Sequence, residues 1–323
     1  MTEPVKSILE LIKKSKRVLI TSHQDPDGDS IGSQLAIGEY VSSLGREVRI
    51  FNQGGLPTKY RFLDVEKKIV TEKTRPEADF KPDLVIVIEC PTLQRIVWVQ
   101  ELVKDGTAIV NIDHHPDNVS FGTVNYLDSA AAAVGEMVYL ILAEAKFAMT
   151  AKVAGWLYVA ILTDTGRFRH SSTTSRCLNI CSLLVALGAD PKSLTDKIYF
   201  NLSQQNLKML GHVLAGLESF EDGKISCLTL EQKTIQKYQV NSEDTEGLVD
   251  YSLFVNGAKV GALFKEITPG RTKVSLRSQN NLDIGQLARQ MGGGGHKNAA
   301  GVAIDRPLPE AKEMILKELK KWI

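Results

Sequence analysis

The chain has 323 residues, 43% hydrophobic and 24% charged, which excludes a disordered polymer and is enough for about two domains with sizeable cores. Its formal net charge of +1 excludes a protein that coats duplex nucleic acid through a broad basic face, but leaves room for one small anion held locally. No run of about 18 apolar residues occurs, so no membrane span is expected, and Met1–Lys16 mixes acids and lysines in an amphipathic pattern unlike a signal peptide. Cys90, Cys177, Cys181 and Cys227 include no C-x-x-C pair. They point to core packing in a reducing cytoplasm rather than to a zinc site.

In chain order, Pro4–Lys14 predicts a short helix and Arg17–Ser22 a buried strand. The strand runs into His23-Gln24-Asp25-Pro26-Asp27-Gly28-Asp29-Ser30, with Ser30 expected to cap the helix carrying Ile31, Leu35, Ile37 and Val41. Strand, acidic loop and helix open a parallel βαβ unit. Further strands are expected at Glu47–Phe51, Asp83–Cys90, Ala108–Ile112 and Gly122–Tyr126. Helices follow at Ala130–Ala145, Ala151–Leu162 and Thr174–Leu187. Pro191–Gln205 reads as a hinge, followed by a helix from about Gln205 to Leu217. Beyond it the period becomes two. Lys224–Leu230, Lys259–Lys265 and Arg271–Ser278 are half-buried strands, the last two joined at Thr268-Pro269-Gly270. A helix over Asp283–Met291, a loop at Gly292–Gly295, a strand over Ala299–Ile304 and a helix over Leu308–Trp322 complete the chain.

The chemistry gathers at the ends of the first-half elements: His23, Asp25, Asp27, Asp29, Glu89, Asp113, His114, His115 and Asp164. In a parallel sheet those ends converge on one edge, where ligands bind. Singly, each has a plainer reading. Asp27-Gly28-Asp29 could be a turn, His23 a core histidine, Asp164 a loop residue. Together, so many carboxylates repel one another unless a cation neutralises them. Carboxylate and imidazole donors without a thiolate suit Mn²⁺ better than structural zinc. Their number suggests two ions, the standard device for in-line attack on a phosphate. At the other end, successive glycines at Gly292–Gly295 could form an anion-binding nest running into His296 and Lys297. Arg271, Lys273 and Arg277 alternate along one strand face, and Arg167-Phe168-Arg169-His170 adds positive charge just after Asp164.

His23-x-Asp25-Pro26-Asp27-x-Asp29, an acid at a strand end, Asp113-His114-His115, and Thr163-Asp164-Thr165-Gly166, in this order, resemble the motif set of the DHH phosphoesterases. Gly292-Gly293-Gly294-Gly295-His296-Lys297-Asn298-Ala299-Ala300-Gly301 resembles the signature of their DHHA1 companion domain. The resemblance covers nearly the whole chain and is closest to the nanoRNase and pAp-phosphatase branch. It implies an α/β fold, with a mostly parallel five-stranded sheet flanked by helices and a smaller C-terminal α/β domain. The expected divisions are a catalytic domain over 1–190, a linker and connecting helix over 191–215, and a substrate-binding domain over 216–323.

The resemblance implies one ion, Mn²⁺ with Mg²⁺ or Co²⁺ as substitutes, on His23, Asp27 and Glu89. It implies a second on Asp29, Glu89, His114 and Asp164. His115 would act at the scissile phosphate, with Asp113 and Asp25 orienting ligands. Arg277, Gly293, Gly294, His296 and Arg169 would hold substrate. The implied reaction is hydrolysis of short RNA to mononucleotides, or of 3′-phosphoadenosine-5′-phosphate (pAp) to AMP, by metal-activated water. Expected partners are a short single-stranded RNA or small nucleotide and no membrane, with a homodimer left open. One position departs from the family, which usually has Asp where this chain has Glu89. Two alternatives remain: a phosphodiesterase for linear or cyclic dinucleotides such as pApA, or, because of Glu89, a catalytically impaired nucleotide-binding form.

Overall fold

Each of the five expected strands of the first half forms, and every strand there pairs in parallel. The protein is described by a computed structural model over residues 2–74, 80–241, 245, 247–279 and 282–323. It divides into two units, Met1–Asn201 and Leu202–Ile323. The first unit runs α1 (Glu3–Lys14), β1 (Arg17–Ser22), α2 (Gly28–Ser43), β2 (Glu47–Asn52), β3 (Ile69–Thr71), β4 (Leu84–Ile88), β5 (Ala108–Asp113), β6 (Val124–Leu127), α3 (Val134–Glu144), α4 (Ala151–Asp164), α5 (Ser175–Ala186) and α6 (Pro191–Tyr199). The sheet has six strands in the order β3-β2-β1-β4-β5-β6, all pairs parallel. The sixth strand, absent from the five expected, is β3. Its three residues are too few to show a period.

Both faces of the sheet are covered, which is why its strands read as unbroken apolar runs. Val18, Ile20, Ile86 and Ile88 pack with the helices. Leu19, Val85 and Val87 face the opposite way onto Ile96, Trp98 and Val99 of the 3-10 segment Leu93–Leu102. Helix α2 is buried along nearly its whole length. It begins earlier than the sequence suggests. Asp27, not Ser30, is the N-cap, and the two form a reciprocal capping box. Helix α3 instead starts later than expected, at Val134, because Asp128–Ala133 forms a turn that bends back onto the strand ends.

The second unit runs α7 (Gln204–Ala215), β7 (Glu218–Phe220), β8 (Ile225–Leu230), α8 (Gln232–Tyr238), β9 (Val260–Thr268), β10 (Arg271–Ser278), α9 (Ile284–Gln290), β11 (Gly294–His296), β12 (Ala299–Ile304) and α10 (Leu308–Leu319). Its sheet is mixed, ordered β11-β12-β10-β9-β8-β7, with only β8 and β9 parallel. Part of the glycine run is therefore an edge strand rather than a loop. The four cysteines are free and buried. Among the described residues no single helix is long and apolar enough to cross a membrane.

Candidate metal centre

The strand order reverses between β1 and β4. In an open parallel sheet, that switch point leaves a crevice beyond the carboxyl ends of the two strands. Ser22 pairs with Ile88, so the next residues, His23 and Glu89, leave adjacent strands at the same level. His23 Nε2 and Glu89 Oε2 are 3.5 Å apart. Glu89 has φ +52°, a left-handed turn in which Asp and Asn are far commoner than Glu. The N-terminus of α2 brings Asp27 and Asp29, β5 ends in Asp113 followed by His114 and His115, and α4 ends in Asp164.

Two close approaches bring α2 and α4 together. A Cβ on Gly32 would lie 2.3 Å from the Trp156 carbonyl oxygen, and one on Gly28 would lie 2.5 Å from Thr163 Oγ1. Only glycine allows the helices this near. The result places Asp164 beside the DHH stretch, with His114 Nε2 3.4 Å from Asp164 Oδ2. Two donor sets result, His23–Asp27–Glu89 and Asp29–Glu89–His114, the donor atoms of each lying within 4.8 Å of one another. Glu89 belongs to both.

Each donor is held from behind. Asp29 Oδ2 accepts from Val134 N at 2.6 Å and Oδ1 from Gly135 N at 2.7 Å, with Ser33 Oγ donating to Oδ1 at 3.1 Å. His114 Nδ1 donates to the Ala131 carbonyl at 3.1 Å, which fixes the tautomer and leaves Nε2 with its lone pair. Asp113, fully buried, accepts from His115 Nδ1 at 2.7 Å, His114 N at 2.9 Å and Asn118 Nδ2 at 2.6 Å. Asn118 also reaches the Cys90 carbonyl at 3.1 Å and Asn111 Oδ1 at 2.8 Å, tying the turn after β5 to the end of β4.

The electrostatics are those of a cation site. Burial, reinforced by Asp27, Asp29 and Asp164, pushes the Glu89 carboxyl well above its ordinary range. Burial and Asp164 push Asp29 well above its range too, and burial raises Asp164. Burial lowers His23 to about 4, keeping it neutral and able to ligate. Burial opposes charge on His114, yet Asp164 and Asp29 outweigh it and raise its pKa. Burial also opposes charge on Asp27 and Asp113. For Asp27, His23 and the Ser30 backbone N–H hold it ionised, and for Asp113, His115 and Asn118 do. Glu89 Oε2 and His23 Nδ1 are buried without a hydrogen bond. Such groups are costly unless something else satisfies them, and carboxylates with imidazoles fit a divalent ion.

The remaining expected residues are spread more widely. Asp25 is exposed on the loop after β1, and its charge still reaches His23. Arg169 is exposed just beyond Asp164, and neighbouring Arg167 stacks on the Tyr199 ring instead of facing the donors. In the second unit, Arg277 donates Nε to Asp250 Oδ1 at 2.9 Å. Ala299 pairs with both Arg277 and His296, so these two lie on one row across β10, β12 and β11. The side chain of His296 lies outside the described residues. Gly293 has the Gly301 carbonyl 2.2 Å from where a Cβ would sit, while the space at Gly294 is open.

Sequence reasoning missed several contributors. Asp250 sits in a 3-10 turn with no pattern of its own. Half-buried Arg95, whose charge reaches His23 and Cys90, lies in Leu93–Leu102, which carries no periodic signal. Ala131, Val134 and Gly135 act through backbone groups, which no residue type announces. Asn118 stands in the His-His-Pro-Asp-Asn run, so its side-chain type was a usable signal.

The sequence matches the DHH family, N-terminal domain, over residues 17–161 and the DHHA1 domain over residues 224–323. It is 30% identical to a probable bifunctional oligoribonuclease and PAP phosphatase NrnA of Streptococcus mutans, covering 98% of each chain. It is also 30% identical to the bifunctional oligoribonuclease and PAP phosphatase NrnA of Thermus thermophilus, over 99% of this chain and 94% of that one. The fold is that of an exopolyphosphatase-related protein from Bacteroides fragilis, with a TM-score of 0.92 at 24% identity, covering 100% of this chain and 98% of that one.

Proposed function

Since the chain belongs to the DHH phosphoesterase family, in its NrnA branch with a DHHA1 domain, we propose that it is a metal-dependent phosphoric ester hydrolase. It cleaves short RNA oligonucleotides to mononucleotides and pAp to AMP. The single observation that carries this reading is the buried carboxylate–imidazole cluster at the switch point, with Glu89 common to both donor sets. His23, Asp27 and Glu89 would hold one divalent ion, Mn²⁺ by donor type, and Asp29, Glu89, His114 and Asp164 a second. Such a pair, when bound, supplies an activated water and charge stabilisation at phosphorus.

The chain's own groups do the rest. Asp113 holds His115 through Nδ1, so Nε2 is the ring nitrogen that meets a phosphoryl or leaving oxygen and can donate a proton there. The apolar helices and the 3-10 segment that cover both sheet faces keep the donors in low dielectric, where charge stabilisation is strongest. The first unit is the catalytic domain. The second binds substrate, with Arg277, oriented by Asp250, and the backbone of Gly293 and Gly294 taking a phosphate. Asp25 and Arg169, both exposed, act at the periphery, Asp25 on His23 and Arg169 on the substrate's charge.

The test is hydrolysis of a 5′-labelled RNA trimer, pAp and pApA, each with Mn²⁺ or EDTA, by the wild type and Glu89→Asp. Metal-dependent cleavage of trimer and pAp is expected. Activity confined to Glu89→Asp would mean that the longer acid disables this chain, and failure of both proteins on every substrate refutes the reading.

A further inference from the structure

We propose that Arg176, Glu136 and Asp128 form a strut that positions the Asp29–Glu89–His114 donor set by fixing the 128–134 turn, with Arg176 as the positioning residue. The inference rests on the two-ion reading above and deepens it. Together with the first turn of α3, this one turn supports donors from two different elements. Its Ala131 carbonyl takes the Nδ1 proton of His114, and Val134 N and Gly135 N hold both oxygens of Asp29. After Asp128 the turn reads Ser-Ala-Ala-Ala-Ala-Val, which offers few further side chains that could fix its shape. The shape comes from outside.

Glu136, in the first turn of α3, is fully buried, and its Oε2 accepts from Ala132 N at 3.0 Å. A buried carboxylate needs a counter-charge. Arg176, in the first turn of α5, supplies it. Its Nε donates to Glu136 Oε1 while its Nη2 donates to Asp128 Oδ2 at 2.8 Å. Asp128 in turn caps the turn through Ala130 N at 3.0 Å, and its own N–H bonds the Asp113 carbonyl at 3.1 Å. The planar guanidinium thus clamps the start of the turn to its end, a geometry an ammonium cannot reproduce. Nothing in this chain of contacts touches His23 or Asp27, so the strut acts on one donor set and spares the other.

The experiment is Mn²⁺ titration calorimetry on the full chain for the wild type, Arg176→Gln, Arg176→Lys and the double variant Glu136→Gln/Arg176→Gln. The His114 tautomer is read by ¹⁵N NMR in the metal-free proteins, at a pH high enough that the ring is neutral. The double variant removes the buried charge, so it keeps the test open if Arg176→Gln alone does not fold. Loss of the strut should weaken one ion equilibrium by about 10–100-fold and leave the other within about threefold. The Nδ1–H tautomer of His114 should no longer dominate, and Arg176→Lys should recover part of both effects. Unchanged binding and tautomer in the folded double variant, or equal weakening of both equilibria, would overturn the strut. If the wild type binds no Mn²⁺, the two-ion reading fails on its own. The strut is then judged by the tautomer: retention of Nδ1–H in the variants overturns it, and its loss upholds the strut.

Discussion

Glu89→Gln should make the protein more stable without metal and less stable with it. Glu89 is 2% exposed, and its oxygens lie within 4.8 Å of both Asp27 and Asp29 donors. At an effective dielectric near 20, each such like-charge pair costs about 3 kcal/mol. Although burial opposes it, His114, in the same set, has its pKa raised by Asp164 and Asp29 and offsets part of that cost. His23, neutral with a pKa near 4, returns nothing. The repulsion that remains is roughly 1–3 kcal/mol, because the carboxyls can take up protons. Glutamine keeps the shape and removes the charge. For the 201-residue first unit, Met1–Asn201, that gain is a rise in Tm of roughly 3–10 °C in EDTA. Mn²⁺ at about 100 times Kd should add about 2.7 kcal/mol to the wild type and little to the variant, which has lost the ligand common to both sets. The order of stability therefore inverts between EDTA and Mn²⁺ in a thermal shift assay. A variant no more stable than wild type in EDTA, or equally stabilised by Mn²⁺, would refute this account of the carboxylate cluster.

Asp113→Asn should lower kcat on the RNA trimer by about 10²–10⁴-fold by releasing His115, with Mn²⁺ affinity nearly unchanged; a kcat within a few-fold of wild type would remove His115 from the chemistry. Gly32→Ala forces a methyl group against the Trp156 carbonyl and should destabilise by about 1–3 kcal/mol in urea, whereas Gly55→Ala, with nothing within 4 Å, should be silent. Equal midpoints for the two would contradict the backbone contact between α2 and α4. His23 is depressed by burial to about 4, so its contribution favours the fold above its unfolded pKa, 6.5, and is lost as pH falls from there through about 4. In EDTA, the stability difference between the wild type and His23→Gln should therefore shift against the wild type over that window. A pH-independent difference would mean that His23 is solvated in the folded protein.

The sheet was legible because its physics is one-dimensional. A strand covered on both faces must be apolar throughout, as β4 is in Leu84–Ile88, and a parallel strand must hand over to a loop at its carboxyl end, where His23, Glu89 and Asp113 stand. Helix starts were less legible. At α2 the cap moved from Ser30 to Asp27 because both residues of a capping box are good caps. At α3 the alanines of the 128–134 turn favour helix locally, and tertiary hydrogen bonds to Asp29 and His114 override that preference. Arg277 was legible as a cation on a half-buried strand, but its partner Asp250 was not, since the pair is joined only across 27 residues of chain.

The crossover at the sheet centre also dictates when the metal site can exist. β1 and β4 pair between residues 18 and 88, and the last donor, Asp164, arrives only after β6 and two helices have been laid down. Contacts this distant in sequence are closed late, because loop entropy is spent before they give anything back. A chain emerging from synthesis can therefore assemble His23, Asp27 and Glu89 once β1 and β4 pair, but offers only fragments of the second set until Asp164 has been made. The second ion would be loaded only after folding, and its occupancy would track the free-ion concentration around the folded protein rather than its biosynthesis.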